Sequence, residues 1–365
     1  MRILHLLNHT KRLNGHVHAA VDLACAQVQL GHSVAIASGG GDFDALLTSK
    51  GVESKFLNHD RRPSALPGAL TSLRQLERQW RPDVIHAHMM TSAVLAWPIC
   101  KIARIPLVTT VHNEFQKSSI LMGLGTRVIA VSDAVQQSME KRGVPKTKLR
   151  VVLNGTIGSA RFEGKDRSPQ RLDGPSILFV GGLHPRKGLP DLFKAFDIVS
   201  GQNQAARLYV VGDGPHRAEY AHLVSTLNCS TAVTFFGALD EPFPFLMGAD
   251  IFVLPSHADP APLVLSEARE AGCAVIATKV DGIPQLLEYG KAGILVATRD
   301  PDALARAICS LLQSPHALQE WRDKSQYNID HLTIARVARD TLEIYADASR
   351  QVRGRSEMRA NPNQA

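Results

Sequence analysis

Residues 251–268 have the sequence IFVLPSHADPAPLVLSEA. The apolar run Ile251–Leu254 predicts a short buried strand, which the following Pro-Ser pair ends. A helix is expected to begin near Pro262, because proline at a first helical position loses no hydrogen bond. Two carboxylates, Asp259 and Glu267, therefore flank a strand–loop–helix junction, one in the loop and the other about one turn into the helix.

The chemistry of this junction suits a nucleotide sugar. Backbone N–H groups at a helix start, here those of Leu263 and Val264, attract a diphosphate. A carboxylate can accept hydrogen bonds from both hydroxyls of a ribose or from two hydroxyls of a hexose. A plainer interpretation makes Asp259 an ordinary loop acid and Glu267 a residue that complements the helix dipole. The junction alone does not decide between them.

Length and composition are those of a globular protein with two domains. The 365 residues suffice for two hydrophobic cores, and the 44% hydrophobic and 21% charged contents are ordinary for a soluble protein. No apolar run is long enough to span a membrane, and Met1–Asn8 predicts a first strand rather than a signal peptide. The five cysteines lack any C-x-x-C pair, which favours reduced thiols and a cytoplasmic location.

The positive charge of the chain is concentrated in its first half. Residues 1–174 contain 23 Lys and Arg against 13 Asp and Glu, whereas the remainder contains 18 against 21. This imbalance would suit an anionic membrane surface or an anionic acceptor. Ordinary solvated lysines and arginines explain any single residue equally well.

Short apolar runs alternate with helical patterns along the first half, which predicts a parallel sheet covered by helices. The predicted strands are Ile3–Leu7, Ser33–Ala37, Val84–His88, Leu107–Val111, Val128–Val131 and Val151–Leu153. The predicted helices are Val17–Leu30, Ala65–Trp80, Ser92–Ala103 and Asp133–Arg142.

A polar, glycine-rich stretch at residues 155–175 predicts a linker, after which the alternation restarts. The later predicted strands are Ile177–Val180, Arg207–Val211, Val233–Phe236, Ile251–Leu254, Ala274–Ala277 and Ile294–Val296. Residues 301–348 are predicted to be helical throughout, and residues 351–365 to be a disordered tail. The prediction is an α/β protein with two doubly wound domains, residues 1–160 and 176–333, whose ligand would lie at the carboxyl ends of both sheets.

Three candidate sites lie near strand ends in the first half. Gly15 precedes a helix and would let backbone amides approach a phosphate, although a plain turn glycine is the simpler explanation. His86 and His88 share one face of a strand, but no accompanying carboxylate supports a metal site. His112 follows Leu107–Val111, where a neutral imidazole could bond a sugar hydroxyl or serve only structure.

The second half contains a further strand–turn–helix pattern, FVGGLHPRKG at residues 179–188. Arg186 and Lys187 lie at the predicted helix start, where positive charge opposes the helix dipole and helix stability does not explain it. A bound diphosphate would explain both cations. Val211–Pro215, which contains Gly212, repeats the pattern one unit later.

In this order the segments resemble glycosyltransferase family 4, and the resemblance extends to about Ala348. The C-terminal matches are Phe179–Gly188, Val211–Pro215, Asp259 with Glu267, Asp281–Gln285 and Gly293–Val296. The N-terminal matches are Asn14-Gly15, Gly31–Val34, Asp83–His88, Val108–His112, Val128–Asp133 and Val152–Gly155. The resemblance implies a GT-B fold, in which two Rossmann-like domains face a central cleft and a final helix, residues 334–350, crosses back to the first domain. It also implies metal-independent transfer that retains the anomeric configuration.

The resemblance also implies a role for each candidate residue. Glu267 would hold the ribose, Asp259 would contact the donor sugar, and Lys187 would bind the diphosphate. Lys187 and the helix amides would stabilise the leaving nucleoside diphosphate in an oxocarbenium-like transition state. The candidate catalytic residues are His112, Asp259 and Lys187. The candidate donor-binding residues are Gly15, Gly182, Arg186, Lys187, Gly212, Pro262, Leu263, Val264 and Glu267.

Three positions depart from the family pattern. Asp259 replaces the usual glutamate, Gly182 stands where an arginine normally binds phosphate, and Asn14 replaces the first glycine of a Gly-Gly pair. Arg186 is a candidate substitute for the missing arginine charge. An acidic segment, Asp42–Asp44, resembles the metal-binding Asp-x-Asp of other glycosyltransferases, but an acidic helix start explains it more simply, and no metal site is expected.

The expected function is hexosyl transfer from a UDP-, GDP- or ADP-sugar, without a cofactor, to a glycan or lipid-linked acceptor in envelope polysaccharide synthesis. The expected location is cytoplasmic and peripheral at the inner membrane face, with no nucleic-acid partner. One alternative is a catalytically silent nucleotide-sugar-binding scaffold, which Gly182 and Asp259 would favour. The spacing of Asp259 and Glu267 disfavours an epimerase or phosphorylase of the same fold. The missing G-x-G-x-x-G disfavours a dehydrogenase.

Overall fold

The computed structural model describes residues 1–12, 14–58 and 66–360 and divides into two compact units. The N-terminal unit comprises Met1–Glu163 and Leu332–Ala365, and the C-terminal unit comprises Gly164–His331. The division at residue 163 falls inside the predicted linker, residues 155–175. Each helix in the described part of the chain is too short or too polar to cross a membrane.

The N-terminal unit contains, in its described part, a parallel sheet of seven strands in the order β3-β2-β1-β4-β5-β6-β7. The strands are β1 (Arg2–Leu6), β2 (Ser33–Ser38), β3 (Glu53–Phe56), β4 (Val84–Ala87), β5 (Leu107–Val111), β6 (Arg127–Ala130) and β7 (Leu149–Val151). The helices that connect them are α1 (Gly15–Gln29), α2 (Asp44–Ser49), α3 (Leu66–Trp80), α4 (Met90–Ala103) and α5 (Asp133–Lys141). Strands β2 and β3 are added on one side of β1, and β5, β6 and β7 on the other side of β4. The direction in which successive strands are added therefore reverses between β1 and β4.

Six of these strands agree with the prediction to within two residues, but β3 was missed. Its sequence, Glu-Ser-Lys-Phe, has no apolar run, and most of its residues are exposed at the edge of the sheet. Backbone pairing with β2, rather than side-chain burial, defines this strand. The predicted start of α3 at Ala65 lies outside the described residues.

The C-terminal unit repeats the same arrangement with six parallel strands in the order β10-β9-β8-β11-β12-β13. The strands are β8 (Ser176–Val180), β9 (Arg207–Val211), β10 (Val233–Gly237), β11 (Ile251–Leu254), β12 (Ala274–Thr278) and β13 (Ile294–Val296). The helices are α6 (Leu189–Gln202), α7 (Arg217–Ser225), α8 (Phe243–Gly248), α9 (Leu263–Glu270), α10 (Ile283–Leu286), α11 (Pro301–Leu312) and α12 (Pro315–Ser325). Here the order reverses between β8 and β11.

The last helix, α13 (Ile334–Ala360), belongs to the N-terminal unit. Its buried side chains, among them Ile334, Ala338 and Tyr345, recur at helical spacing and join the core that includes Val17 and Val21 of α1. The predicted continuous helix from residue 301 is instead divided into α11, α12 and α13. Residues 351–360, predicted to be disordered, continue α13, while residues 361–365 lie outside the described part.

Candidate functional site

In the C-terminal unit, the candidate residues follow the strands at which the sheet order reverses. The loops after β8 and β11 leave neighbouring strands at their carboxyl ends, because these strands pair directly. In open α/β sheets this reversal point is where ligands bind. Arg186 and Lys187 lie in the loop after β8, and Asp259 lies in the loop after β11.

A close backbone approach holds the two loops together. Gly188 has a φ of +69°, and a Cβ atom there would lie 2.0 Å from the carbonyl oxygen of Pro255. The backbone N–H of His257 also donates to the carbonyl oxygen of Arg186 at 2.7 Å. Only glycine fits at position 188, because any side chain would collide with the neighbouring loop.

Asp259 forms the centre of a charged cluster. The Lys187 ammonium lies 2.5 Å from Asp259 Oδ2, and both residues are buried. The Ser256 hydroxyl donates to the same oxygen at 3.3 Å. The exposed guanidinium of Arg186 lies 3.9 Å from the other carboxylate oxygen. Two consecutive cations therefore converge on one buried carboxylate.

The expected position of the two cations at a helix start was wrong. They lie in a 3₁₀ turn, Pro185–Lys187, and α6 begins only at Leu189. The argument from an opposing helix dipole therefore does not apply to them. The carboxylate of Asp259 accounts for the burial of the Lys187 charge, since buried charges require a partner.

Two carboxylates that were not among the candidate site residues position this cluster. Asp281, after β12, accepts a hydrogen bond from the backbone N–H of Asp259 at 2.7 Å and has a φ of +46°. Burial raises the pKa of the Asp281 carboxyl. Asp191, in the first turn of α6, contacts His257 Nε2 at 2.6 Å. Both contacts depend on which strands are neighbours in the sheet, so no local sequence signal indicates them.

The helix start predicted near Pro262 is confirmed, since α9 begins at Leu263 with Pro262 as its N-cap. Among the described residues no side chain caps this helix, and its first residues, Leu263 and Val264, are half-buried. Glu267 lies one turn further along and is buried. A carboxylate and an uncapped helix N-terminus therefore occur on one short helix directly after Asp259.

The two other glycines of the predicted donor site, Gly212 and Gly182, differ in how much space a side chain would have. Gly212, after β9, has a φ of +138°, and a Cβ atom there would lie 1.9 Å from the carbonyl oxygen of Gly181. Gly182 has no such constraint, because its Cβ atom would meet the exposed His184 ring at 3.1 Å and Asp213 O at 3.9 Å. The fold therefore requires glycine at 212 but tolerates a side chain at 182.

In the N-terminal unit, Gly15 is the first residue of α1, and His112 directly follows β5. A Cβ atom at Gly15 would meet no atom of the described residues within 4 Å, so that part of the chain places no packing demand for glycine there. His16, which the sequence did not mark, has its ring 6.1 Å from that of His112, measured between centroids. Burial lowers the pKa of His112 to about 3, which keeps the imidazole neutral at physiological pH.

A cluster of histidines offers ligand atoms for a metal ion. One ring nitrogen from each of His5, His86 and His88 lies within 4.8 Å of the others, and all three rings are buried. Sequence analysis marked His86 and His88 but missed His5. Every ring nitrogen of these three residues already has a hydrogen-bond partner, so a metal ion would have to displace several of these bonds.

The Asp42–Asp44 segment makes local bonds instead. The Asp42 carboxylate accepts from the backbone N–H of Arg12 at 2.9 Å. The Asp44 carboxylate accepts from the Thr10 hydroxyl at 2.6 Å and from the Gly41 N–H at 3.1 Å. These bonds fix the turn before α2 and account for both acids without an ion.

Comparison with known proteins places the chain in a family. Residues 13–156 match the family model "Glycosyltransferase Family 4", and residues 174–314 match "Glycosyl transferases group 1". The glycogen synthase of Mycobacterium tuberculosis is 30% identical over 299 residues, which cover 75% of this chain and 71% of that protein. The chain belongs to glycosyltransferase family 4. D-inositol 3-phosphate glycosyltransferase 2 of Catenulispora acidiphila is 24% identical to this glycosyltransferase over 337 residues, 81% of this chain and 79% of that protein.

Solved structures confirm the GT-B fold of this glycosyltransferase. The crystal structure of Anabaena HepE in complex with UDP and glucose aligns with a TM-score of 0.79 at 20% identity, covering 95% of this chain and 99% of that one. Of the predicted site residues, Gly15 and His112 belong to the N-terminal unit of the glycosyltransferase. The other nine belong to its C-terminal unit, where Arg186, Lys187 and Asp259 are in contact.

Proposed function

We propose that this glycosyltransferase is a retaining hexosyltransferase that transfers sugar from a nucleoside-diphosphate sugar to a glycan or lipid-linked acceptor in envelope polysaccharide synthesis. The observation that carries the proposal is the convergence of Arg186 and Lys187 on Asp259, in the loop that leads into the uncapped start of α9. Cations and free N–H groups together are the usual protein partners of a diphosphate.

The proposed chemistry follows the charge that develops in the reaction. As the bond between the anomeric carbon and the diphosphate oxygen breaks, negative charge grows on the leaving nucleoside diphosphate. Lys187, Arg186 and the N–H groups at the start of α9 would stabilise that charge most strongly in the transition state. Asp259 would accept a hydrogen bond from the donor sugar, and Glu267 would accept both ribose hydroxyls.

We assign two further roles in the N-terminal unit. Gly15 would let the diphosphate approach the N–H groups at the start of α1, which fits the lack of any described atom within 4 Å of a Cβ atom at this position. His112 would accept or donate a hydrogen bond to a sugar hydroxyl as a neutral imidazole. Because protein cations would supply the positive charge, turnover is expected to need neither a metal ion nor a cofactor.

Arg186 would replace the phosphate-binding arginine that is absent at Gly182. Its guanidinium is 44% exposed and lies 3.9 Å from the carboxylate that also binds Lys187, which places its charge beside the proposed diphosphate position. Arg186→Met is therefore expected to weaken donor affinity. Gly182→Arg in that background should restore it, because a side chain at 182 would have to displace only the exposed His184 ring, 3.1 Å from the new Cβ atom. Unchanged donor affinity in Arg186→Met would refute this assignment.

The test of the proposed function is mass-spectrometric analysis of donor turnover. Purified protein is incubated with UDP-, GDP- and ADP-sugars, with and without EDTA, beside Glu267→Gln and the matched control Glu270→Gln on the same helix. Release of one nucleoside diphosphate that survives EDTA, persists in Glu270→Gln and is lost in Glu267→Gln would support the proposal. An anomeric configuration in the product that differs from that of the donor would exclude a retaining reaction.

A catalytically silent nucleotide-sugar-binding protein is the second candidate. The observation that favours it is the 2.5 Å contact of Lys187 with Asp259, which already neutralises the cation expected to face the leaving group. The absence of the arginine at position 182 favours it as well. Saturable binding of a nucleotide sugar without turnover, across both donor and acceptor panels, would establish this candidate instead.

A surface of the N-terminal unit suits the proposed peripheral membrane location. It is formed by α4 and residues 117–124, which pack against each other. Its exposed apolar side chains are Val94, Trp97, Ile102, Ile120 and Leu121. Exposed Lys101, Arg104 and Lys117 accompany them. Apolar side chains bordered by cations favour the interface of an anionic bilayer.

Vesicle co-sedimentation tests this surface. Trp97→Ser with Ile102→Ser should abolish binding to vesicles that contain anionic lipid, and vesicles of neutral lipid should bind poorly. Phe56→Ser is the matched control, because Phe56 is 80% exposed on β3 of the same unit but lies outside the surface. Equal sedimentation of the double variant and the wild-type protein would contradict the assignment.

A further inference from the structure

Behind His112, buried side chains of the N-terminal unit form a continuous chain of hydrogen bonds. His112 Nε2 lies 3.1 Å from His88 Nδ1, and His88 Nε2 lies 2.9 Å from His5 Nδ1. The chain ends at Gln27, whose Oε1 lies 2.8 Å from His5 Nε2. His5 and Gln27 are fully buried, so the chain connects His112 to the interior of the unit.

The topology of the sheet brings these residues together. Strands β1 and β4 are neighbours because the sheet order reverses between them, and their register pairs His5 with His86. His88 is two residues beyond His86 and therefore faces the same side of the sheet. On that side α1 supplies Gln27, and α13 supplies Tyr345, which bonds both Gln27 and His86.

The chain has a single direction of donation. A neutral imidazole has one N–H donor and one acceptor nitrogen. Because Gln27 Oε1 is only an acceptor, His5 must donate to it from Nε2 and accept at Nδ1. His88 must then donate from Nε2 to His5 and accept at Nδ1. By the same reasoning, His112 donates from Nε2 and has an unprotonated Nδ1.

The other end of the Gln27 amide contacts Tyr345. The Gln27 Nε2 group donates to the Tyr345 hydroxyl at 3.3 Å. That hydroxyl also lies 2.6 Å from His86 Nδ1, and His86 Nε2 lies 2.7 Å from the Thr110 hydroxyl oxygen. With Oε1 directed toward His5 and Nε2 toward Tyr345, both polar ends of the amide have a partner.

We propose that Gln27, His5 and His88 are positioning residues that hold His112 as its Nε2–H tautomer and leave Nδ1 to accept a hydrogen bond from a substrate hydroxyl. Nδ1 of His112 has no hydrogen-bond partner within the described part of the chain. A sugar hydroxyl that donates its proton to Nδ1 is thereby oriented with its oxygen lone pairs directed away from the imidazole. The identity of the hydroxyl as a sugar group rests on the proposed function, whereas the tautomer does not.

The charge states agree with this chain. Burial lowers the pKa of His5 to about 4 and that of His112 to about 3, and it holds the pKa of His88 well below its usual value. All three rings are therefore neutral at physiological pH, as one-directional donation requires. A protonated ring would present two donors and break the chain.

The tautomer is measured directly by nuclear magnetic resonance. The full-length protein is labelled with 15N in its histidine rings, and two-bond 1H–15N correlations are recorded at neutral pH. His112→Phe assigns the His112 signal by its disappearance. The proposal predicts a protonated Nε2 and an unprotonated Nδ1 for His112. A wild-type His112 protonated at Nδ1 overturns it. Because this result is measured on the wild-type protein, it does not depend on whether variants of the network fold.

A variant of Gln27 tests whether the chain sets the tautomer. Gln27→Met removes the terminal acceptor and should give His112 a mixture of tautomers. Gln29→Met, at an exposed position of the same helix, is the matched control. An unchanged His112 signal in Gln27→Met would overturn the positioning role. A wild-type protein with the predicted tautomer but no turnover of any sugar would retain the chain and refute the proposed function instead.

Discussion

Replacing Lys187 by methionine should destabilise the C-terminal unit far more than replacing Arg186. The side chains of Lys187 and Asp259 are 10% and 7% exposed, and removing one partner of a buried ion pair costs about 3–5 kcal/mol. We expect the lower value, about 3 kcal/mol, because Ser256 and Arg186 still contact the carboxylate. Arg186, 44% exposed and 3.9 Å away, should contribute below about 1 kcal/mol.

Hydrogen exchange with mass-spectrometric detection measures this difference within one unit of a two-unit protein. Peptides that cover β8 and β11 report the opening free energy of the two strands that flank the cluster. A loss of about 3 kcal/mol corresponds to exchange about a hundredfold faster. Asp259→Asn added to Lys187→Met should recover part of the loss, since no uncompensated charge then stays buried. Equal exchange in the Lys187→Met and Arg186→Met variants would refute the reasoning.

Two further predictions concern backbone strain and acid sensitivity. Gly212→Ala should lower the melting temperature by several degrees, because its Cβ atom would lie 1.9 Å from Gly181 O at a φ of +138°. Gly15→Ala should leave the melting temperature unchanged. Equal melting temperatures in the two variants would contradict this prediction. The free energy of unfolding of the N-terminal unit should fall as pH decreases from 6.5 toward about 4. Histidines such as His5 take up protons in this window only when unfolded, because the folded-state pKa of His5 is about 4 and that of His112 about 3. Hydrogen exchange in β1 and β4, corrected for its intrinsic pH dependence, checks this, and equal protection at both ends of the window would contradict it.

The fold could be predicted from the sequence wherever burial determines the secondary structure. Strands β5, β9, β11 and β13 were predicted with their observed bounds, because each is a short segment dominated by apolar and β-branched residues. β3 was missed because its Glu-Ser-Lys-Phe sequence pairs at an exposed edge. Helical patterns gave the existence of the last helices but not their breaks, which proline and serine capping determine at Ser314 and Pro315.

The site could be predicted only as separate residues at strand ends. Lys187 and Asp259 are 72 positions apart, and their contact follows from the pairing of β8 with β11. Local pattern suggested a diphosphate for Lys187 and a sugar hydroxyl for Asp259, and the family resemblance made these roles specific. His5 was missed for the same reason, since a histidine inside an apolar strand has no signal until the register places it beside His86. Tyr345 joins the same network only because α13 returns to the N-terminal unit.

The central claim is that Lys187 lies at the donor diphosphate. Calorimetric titration with UDP, GDP and ADP, and with the matching nucleosides, tests it most directly. The account predicts that one nucleoside diphosphate binds the wild-type protein. In Lys187→Met its affinity should fall at least about tenfold, the effect of losing one charge-assisted hydrogen bond, while nucleoside affinity stays unchanged. Glu267→Gln should weaken both ligands, because its carboxylate is assigned to the ribose that they share. Equal diphosphate affinity in wild-type and Lys187→Met proteins would contradict the account.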